Sequence, residues 1–413
     1  MPIKNRISKP ALALLSKLQG AGYEAYLVGG AVRDLLLDIE PKDYDVATNA
    51  TPEETCNVFG RRARIIGRRF RLVHVYMGGG VFEVSTFRRE PTLEERKGRD
   101  SDSGLMVWRD NVFGSLEDDA RRRDFTVNAV YYDPLNNDRE FVDYVAGMAD
   151  LKEGIVRAIG DPATRIVEDP VRMLRACKLV GQYGLVVESE LQQEICRNAA
   201  TLSLSSPARL LEEIYKILLK PYTRTTFDAC FRCGVLHHLL PTLGDQWQTA
   251  PGRFAQALLQ TRDHELKAQR ISPSRVTGLT ALILPFIEAE YGEPQEHRLW
   301  ANFGGIDKLI HSRIREFYQP YRVPRYTTAK TRDVLLLQPK FFNRRMLRRL
   351  PRHPEYRRAH EMFGVFAKAA EQESRFFEMW PPPDTDAAKG GPRPRRRRRS
   401  KPVAGDISGD ELG

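Results

Sequence analysis

Apolar residues near the start of the chain recur at helical spacing and then give way to short apolar runs. Three leucines spaced by three residues, from Leu12 to Leu18, predict a helix over residues 8–20 that glycines at its end would close. The glycine-flanked apolar runs that follow are typical of buried strands alternating with a short helix. We therefore predict a strand, a helix and a second strand at residues 23–28, 31–37 and 44–47.

The next segment carries start signals for a helix and then a hairpin. Thr51 has the character of an N-cap, Pro52 suits the first helical position, and Glu54 completes a capping box. Two strand patterns, 70–77 and 81–87, are joined by three consecutive glycines, which is a strong hairpin signal. This alternation of helices and strands predicts a small α+β unit with a mixed or antiparallel sheet.

The pattern becomes mostly helical from residue 149 onward. The predicted fold is thus an α+β head followed by an all-α body, and the final Pro- and Arg-rich residues predict a disordered basic tail. The pattern divides the chain into the head, two helical units and the tail, at residues 1–140, 141–220, 221–380 and 381–413.

The composition indicates a basic protein in a reducing compartment. The 413 residues are 41% hydrophobic and carry a formal net charge of +11, which favours polyanionic partners such as nucleic acid. Residues 389–401 alone contain eight basic residues and no acid. Five scattered cysteines suit a reducing compartment, and no apolar run is long enough for a signal segment or a membrane span. We expect a cytoplasmic protein.

The candidate chemistry starts at the first glycine turn. Gly29 and Gly30 would leave backbone N–H groups bare at the start of a helix, where a phosphate can bind. Asp43 and Asp45 alternate on a predicted strand and would share a face, and adjacent carboxylates suit Mg²⁺. Glu83 is either a third carboxylate beside this pair or a solvated strand residue, and the sequence favours neither.

Two later segments each allow a functional and a structural interpretation. Asp169, Arg172 and Arg175 are spaced by three and could hydrogen-bond the edge of a nucleobase, although the same spacing also describes an ordinary surface ion pair. Residues 319–350 interleave basic and aromatic residues, which suits single-stranded nucleic acid or, equally, helices with solvated basic faces.

Four ordered motifs resemble one enzyme family. They are Val28-Gly-Gly-Ala-Val-Arg-Asp34 with the aspartate pair, then Arg122-Arg-Asp-Phe-Thr-Val-Asn-Ala129, Gly160-Asp-Pro-Ala-Thr-Arg165 and Glu168-Asp-Pro-Val-Arg-Met-Leu-Arg175. In this order they resemble the class II polymerase-beta-like nucleotidyltransferases, which contain the CCA-adding enzymes and the bacterial poly(A) polymerases. The segments 65–75 and 110–115 and the arginine-rich end make the chain most similar to the poly(A) polymerases.

The resemblance implies a reaction, a role for each motif and a role for each unit. The head would be catalytic, residues 141–220 would form a neck that recognises the nucleobase, and residues 221–380 would form an RNA-binding body. It implies addition of AMP from ATP to RNA 3′ ends without a template, by in-line attack of the primer hydroxyl with two Mg²⁺ ions. The implied RNAs are mRNA and decay intermediates, and the implied protein is a monomer for which RNA-decay or RNA-chaperone proteins are candidate partners. The implied catalytic residues are Asp43, Asp45 and Asp124, the first two as metal ligands; those implied to bind the nucleotide are Gly29, Gly30, Arg33, Arg123, Asp169, Arg172 and Arg175.

Two alternatives stay open from the sequence. A CCA-adding enzyme shares the chemistry but uses CTP as well as ATP and stops after three nucleotides; the chain has no His-Asp dipeptide, which excludes the relatives that carry a His-Asp phosphohydrolase domain. The other alternative is a non-catalytic RNA-binding protein. Intact Asp43, Asp45 and Asp124 argue against it, because clustered acids repel RNA.

Overall fold

The structure is a computed structural model, and it describes residues 3–67, 71–91, 112–136, 140–292, 299–300, 304–371 and 377–383. Three sequence predictions fall at least partly outside these residues. They concern Phe70 at the start of a predicted strand, the beginning of the 110–115 segment, and residues 384–413 of the tail.

A seven-stranded mixed sheet forms the head. Its strand order is β3-β4-β5-β2-β1-β6-β7, and the β2–β5 pair is parallel whereas the other pairs are antiparallel. The strands are β1 Ala25–Val28, β2 Asp45–Thr48, β3 Ala63–Ile66, β4 Leu72–Met77, β5 Gly80–Thr86, β6 Val130–Tyr132 and β7 Phe141–Asp143.

Side chains alternate between the two faces of this sheet. Val46 of β2 and Val84 of β5 belong to the larger apolar cluster, which also takes the leucines of the first helix. Ala47 and Tyr131 belong to a smaller cluster on the opposite face. Asp45 is two residues from Ala47 and therefore shares the face of the smaller cluster.

The helices of the head begin where the sequence signals predict. Ser8 caps the first helix by accepting a hydrogen bond from the backbone of Ala11, and the capping box between Thr51 and Glu54 is confirmed. The head helices are α1 Lys9–Gly20, α2 Gly30–Leu36, α3 Pro52–Phe59 and α4 Leu116–Arg121.

The rest of the described chain is almost entirely helical. One continuous apolar core takes in Phe125 and Val127, just before β6, and extends through the helices to Trp380. A short two-stranded sheet, β8 Ile155–Val156 with β9 Val186–Val187, is inserted in it. The helices are α5 Gly147–Glu153, α6 Pro162–Glu168, α7 Val171–Tyr183, α8 Ser189–Asn198, α9 Pro207–Leu218, α10 Thr223–Arg232, α11 Val235–Leu239, α12 Pro241–Asp245, α13 Ala250–Lys267, α14 Arg275–Tyr291, α15 Ile306–Phe317, α16 Arg325–Leu337 and α17 Tyr356–Ala369.

The α+β head followed by a helical body confirms the predicted fold class. The hairpin prediction also holds, because Met77 pairs with Gly80 across the glycine turn. Strands β3, β6 and β7 were not predicted. Among the described residues, no helix is both long and apolar enough to span a membrane. The proposed boundaries at residues 140, 220 and 380 remain predictions.

Candidate active site

The two predicted metal ligands flank the start of β2. Asp45 is the first residue of the strand, and Asp43 lies in the bend that leads into it. Only Asp45 is therefore on the strand, and the prediction that both aspartates lie on one strand face does not hold for Asp43. Asp43 is nevertheless close enough for its charge to raise the pKa of Asp45.

The surroundings of the Asp45 carboxyl group destabilise its ionised form. Its pKa is raised to about 6, first by the protein atoms that surround it and then by the charge of Glu83, while Arg123 opposes the shift and Asp43 adds to it. Part of the Asp45 side chain still reaches solvent. Carboxylates that crowd one another in this way are stabilised by a cation between them.

Glu83 lies beside Asp45 on the neighbouring strand. The parallel pairing of β2 with β5 sets Asp45 opposite Glu83, which answers the question that the sequence left open about its position. Glu83 also faces His74, whose Nε2 is 3.6 Å from Oε1 of Glu83. Within the described ranges, no group of three or more His, Cys, Asp or Glu side chains is arranged so that it could hold a metal ion. A metal here would depend on the aspartates and on oxygens from substrate.

Gly29 keeps the space in front of Asp45 open. Its φ of 75° and ψ of −138° belong to a region that glycine adopts readily and other residues rarely. A Cβ atom at this position would lie 3.5 Å from Oδ2 of Asp45 and 3.8 Å from Nη1 of Arg123. The bare backbone of Gly29, the Asp45 carboxylate and the Arg123 guanidinium thus lie next to one another.

Arg123 is held in place by two buried groups behind it. Its Nε donates to the hydroxyl of Tyr131 at 3.0 Å, and its Nη2 donates to Oδ2 of Asp119 at 2.9 Å. Tyr131 in turn donates to the same Asp119 oxygen at 2.7 Å. Burial alone would lower the pKa of Arg123, but Tyr131 and Asp119 more than offset this and raise it above its ordinary value. The arginine is therefore a fixed cation beside Asp45.

Arg33 is buried and joins the head to helix α7. Its Nη1 donates to Oδ1 of Asn128 at 2.6 Å, and its Nη2 donates to Oδ1 of Asp34 at 2.8 Å and to the hydroxyl of Tyr183. The guanidinium also stacks on the ring of Tyr183, 4.3 Å from its centroid. Nη2 would be 3.3 Å from a Cβ atom at Gly30, so Arg33 lies directly behind the glycine turn.

Asp124 belongs to the same network from the other side. Its Oδ1 accepts a hydrogen bond from Nδ2 of Asn128 at 3.3 Å, and its Oδ2 accepts one from Nη1 of Arg175 at 3.4 Å. Asn128 therefore bridges Arg33 and Asp124. The network brings together residues from three of the four sequence motifs.

Arg165, in the third motif, fixes the backbone of the second motif. Its Nη2 donates to the carbonyl oxygens of Arg122 and Arg123 at 2.5 and 2.8 Å. Its Nη1 pairs with Glu168 at 3.0 Å. Asp161 starts the helix that carries Arg165, by capping the backbone N–H of Thr164. The third motif thus supports Arg123 from the neck.

The three predicted base-reading residues are each engaged with protein partners. Oδ2 of Asp169 accepts from Arg209 at 2.8 Å, and Nη1 of Arg172 donates to Glu168 at 3.2 Å. Arg175 contacts Asp124, as described above. Asp169 lies just before α7 and accepts from the backbone of Val171, so only the two arginines lie on the helix itself. Arg172 and Arg175 are one turn apart and share a face.

Several residues of this site were missed from the sequence. Tyr131 and Tyr183 look like ordinary apolar positions, and Asn128 was quoted only as part of a motif. Asp119 did carry a usable signal, since it lies four residues before Arg123, which is the spacing of a helical ion pair.

Comparison with known families and proteins assigns two parts of the chain. Residues 25–157 match the family described as "Poly A polymerase head domain", and residues 184–246 match "Probable RNA and SrmB- binding site of polymerase A". The first match contains the aspartate pair, the glycine turn and Arg123.

Individual relatives extend the similarity over most of the chain. Poly(A) polymerase I of Escherichia coli O6:H1 is 36% identical over 415 residues, which cover 95% of this chain and 88% of the relative. A CCA-adding enzyme of Geobacillus sp. is 36% identical over 254 residues, covering 61% of this chain and 60% of the relative. The crystal structure of Bacillus stearothermophilus CCA-adding enzyme in complex with CTP shares the fold, with a TM-score of 0.64, 23% identity, and coverage of 92% of this chain and 82% of that one.

Proposed function

Because the chain belongs to the poly(A) polymerase family of nucleotidyltransferases, we propose that it adds AMP from ATP to RNA 3′ ends without a template. The proposed substrates are mRNA and RNA decay intermediates in the cytoplasm. RNA-decay or RNA-chaperone proteins are the partners that such a role would involve.

The observation that carries the proposal is that a bare glycine backbone at Gly29, the Asp45 carboxylate and the Nη1 group of Arg123 lie next to one another. A triphosphate needs donors for its oxygens and a cation for its charge, and these groups supply the donors and the ligands for that cation.

The donor set fits Mg²⁺. Mg²⁺ is commonly bound through one or two carboxylates together with substrate phosphates and water, and Asp43 and Asp45 supply the two carboxylates. The raised pKa of Asp45 supports this fit, because the carboxylate is placed where negative charges repel it and a divalent ion would relieve the repulsion. Bound there, Mg²⁺ would polarise the α-phosphate and make the primer hydroxyl a better nucleophile.

The residues of the chain position the reactants. The oxygen of the primer 3′-hydroxyl attacks the α-phosphorus in line, the bond to the β-phosphate oxygen breaks, and pyrophosphate leaves with no covalent enzyme intermediate. Arg123 would neutralise charge on the triphosphate, and Gly29, Gly30 and Arg33 would lie along it. Asp124 would act at the ribose or with the catalytic acids.

We assign base recognition to Arg172 and Arg175, with Asp169 at the start of their helix. The two arginines share a helix face, which supports a common ligand. Arg175 contacts the Asp124 side chain, and Arg172 contacts the Glu168 side chain and the backbone carbonyl oxygen of Arg165. A base edge would replace the side-chain contacts. Asp169 would act by fixing the helix start and Arg209.

A CCA-adding activity is the second candidate, because relatives with that name align with more than half of the chain. Product sequencing separates the two. Purified protein is incubated with Mg²⁺, a generic RNA primer and each nucleoside triphosphate in turn. Long heterogeneous extensions with ATP alone are expected. A defined CCA end on truncated tRNA would identify the second activity, and absence of any extension would favour a non-catalytic RNA-binding protein.

A further inference from the structure

A basic cavity lies in the body between helices α15 and α16. Its volume is about 750 Å³, and its lining includes Arg315, Arg322, Arg325 and Arg332 but no acidic residue. We call this cavity the arginine pocket. It lies outside residues 184–246, the segment that matches an RNA-binding family.

Three of the four arginines are exposed and lack a counter-charge. Arg315, Arg322 and Arg325 are exposed, and none of them forms an ion pair with another residue of the described ranges. Arg332 is different, because it pairs with Asp333 at 3.0 Å. Like charges held close together around a concave surface favour an anionic ligand.

A neighbouring cavity shows what a neutralised basic surface looks like in the same body. This cavity, of about 790 Å³, also has a basic lining. There, however, Lys330 and Arg358 both pair with Glu355, and Arg357 pairs with Glu361. The second cavity is therefore largely neutralised, whereas the arginine pocket keeps three arginines without an ion-pair partner in the described ranges.

An exposed aromatic ring lies at the boundary between the arginine pocket and the neighbouring cavity. Tyr326 lines the neighbouring cavity and is 71% exposed, and it directly follows Arg325, which lines the arginine pocket. The cation at the ring itself is Lys330, which Glu355 neutralises, whereas Arg325 forms no ion pair within the described ranges. Cations close to an accessible ring are the combination by which proteins bind single-stranded nucleic acid, since phosphates meet the cations and bases stack on the ring.

We propose that the arginine pocket and Tyr326 bind the primer strand of RNA upstream of its 3′ end. The proposal rests on the proposed function, which makes RNA the substrate. Helix α7 contacts α9, α9 contacts α14, and α14 contacts α16. With neighbouring helix axes 8–10 Å apart, these three helix-to-helix contacts place α16 at most roughly 30 Å from α7. A stacked RNA strand of about nine nucleotides spans this distance. Only primers longer than this reach the pocket.

The test compares two variants with the same loss of charge. Arg315→Gln, Arg322→Gln and Arg325→Gln are combined in one, and Lys9→Gln, Arg253→Gln and Lys267→Gln, all exposed residues, in the other. The dissociation constant of an RNA of about 30 nucleotides is measured against salt concentration. Loss of three phosphate contacts should reduce the slope of the log–log plot by about 2 in the pocket variant. An equal reduction in the control variant would overturn the proposal.

Primer length separates this proposal from the proposed function. The pocket variant should extend a primer of about 5 nucleotides as fast as the unchanged protein, and a primer of about 30 nucleotides more slowly at subsaturating RNA. Equal slowing of both primers would overturn the pocket. If the unchanged protein extends no primer, the proposed function is wrong. The salt dependence of RNA binding still tests whether the arginine pocket binds RNA.

Tyr326→Ala tests the stacking contact. Loss of one stacked base should weaken retention of the long RNA by about 5- to 150-fold. Retention of inorganic polyphosphate, which has no bases, should stay unchanged. Equal weakening of both polyanions would contradict the stacking role of Tyr326.

Discussion

The hydroxyl of Tyr183, at the end of the neck helix α7, donates to Oδ1 of Asp34 in the head at 2.7 Å. The same hydroxyl accepts a hydrogen bond from Nη2 of Arg33. A single oxygen therefore ties the glycine turn to the helix that carries Arg172 and Arg175. The triphosphate and base parts of the proposed site depend on this contact for their relative position.

Tyr183→Phe should weaken the connection between the glycine turn and helix α7 without changing the reacting groups. The free energy of unfolding should fall by about 1.5–3 kcal/mol, because hydrogen bonds to charged groups are lost. The KM for ATP should rise more than kcat falls, since Arg33 loses its fixed position. Urea unfolding and steady-state kinetics measure both. Tyr76→Phe, at an exposed strand position, is the control, and unchanged values in both variants would contradict the coupling.

Asp45→Asn should abolish extension while the fold is retained. The substitution removes a carboxylate that Glu83 and Asp43 repel, so the metal-free protein should be at least as stable as the unchanged one. Thermal unfolding without Mg²⁺ and primer extension with Mg²⁺ provide the two readouts. A variant that unfolds, or one that still extends RNA at the original rate, would remove Asp45 from the proposed site.

Arg123→Lys keeps the charge but not the fork of donors. A lysine ammonium cannot bond Tyr131 and Asp119 while also facing Asp45, so kcat/KM for ATP should fall by about 10- to 150-fold. Arg121→Lys is the matched control, because Arg121 is an exposed arginine two residues before Arg123 and is paired with Glu117. An equal effect of the two substitutions would show that charge alone matters at position 123.

Local signals in the sequence predicted the elements well, and distant pairings account for what they missed. Thr51 and Glu54 form their capping box within one helical turn, so the pattern alone identifies it. The position of Glu83 depends on the pairing of two parallel strands that the sequence does not join directly. Arg33 finds its partners 95 and 150 residues away, at Asn128 and Tyr183, and no local pattern encodes such contacts.

The resemblance to a family suggested the site residues, and the structure changes the interpretation of some of them. The spacing suggested that Asp169, Arg172 and Arg175 form one helix face. Asp169 instead precedes the helix, which begins at Val171, and its Oδ1 accepts a hydrogen bond from the backbone of Val171. Residue spacing identifies which side chains are one turn apart, whereas the start of a helix depends on the caps and on packing.

His360 should make the body sensitive to acid. It is buried among Tyr356, Phe341 and Phe377, and its Nε2 has no hydrogen-bond partner in the described part of the chain. Burial lowers its pKa to about 4, despite an opposing hydrogen bond that the imidazole donates to the backbone of Trp380.

This pKa lies below the ordinary value of 6.5, so the unfolded chain takes up a proton before the folded protein does. The contribution of His360 to the free energy of unfolding should therefore fall as the pH drops from about 6.5 to 4, by about 3 kcal/mol in total, and it is read as the difference between the unchanged protein and His360→Gln. Urea unfolding at several pH values measures this slope. His360→Gln should flatten it, and exposed His264→Gln should leave it unchanged. A slope that persists in His360→Gln would assign the acid sensitivity to other groups.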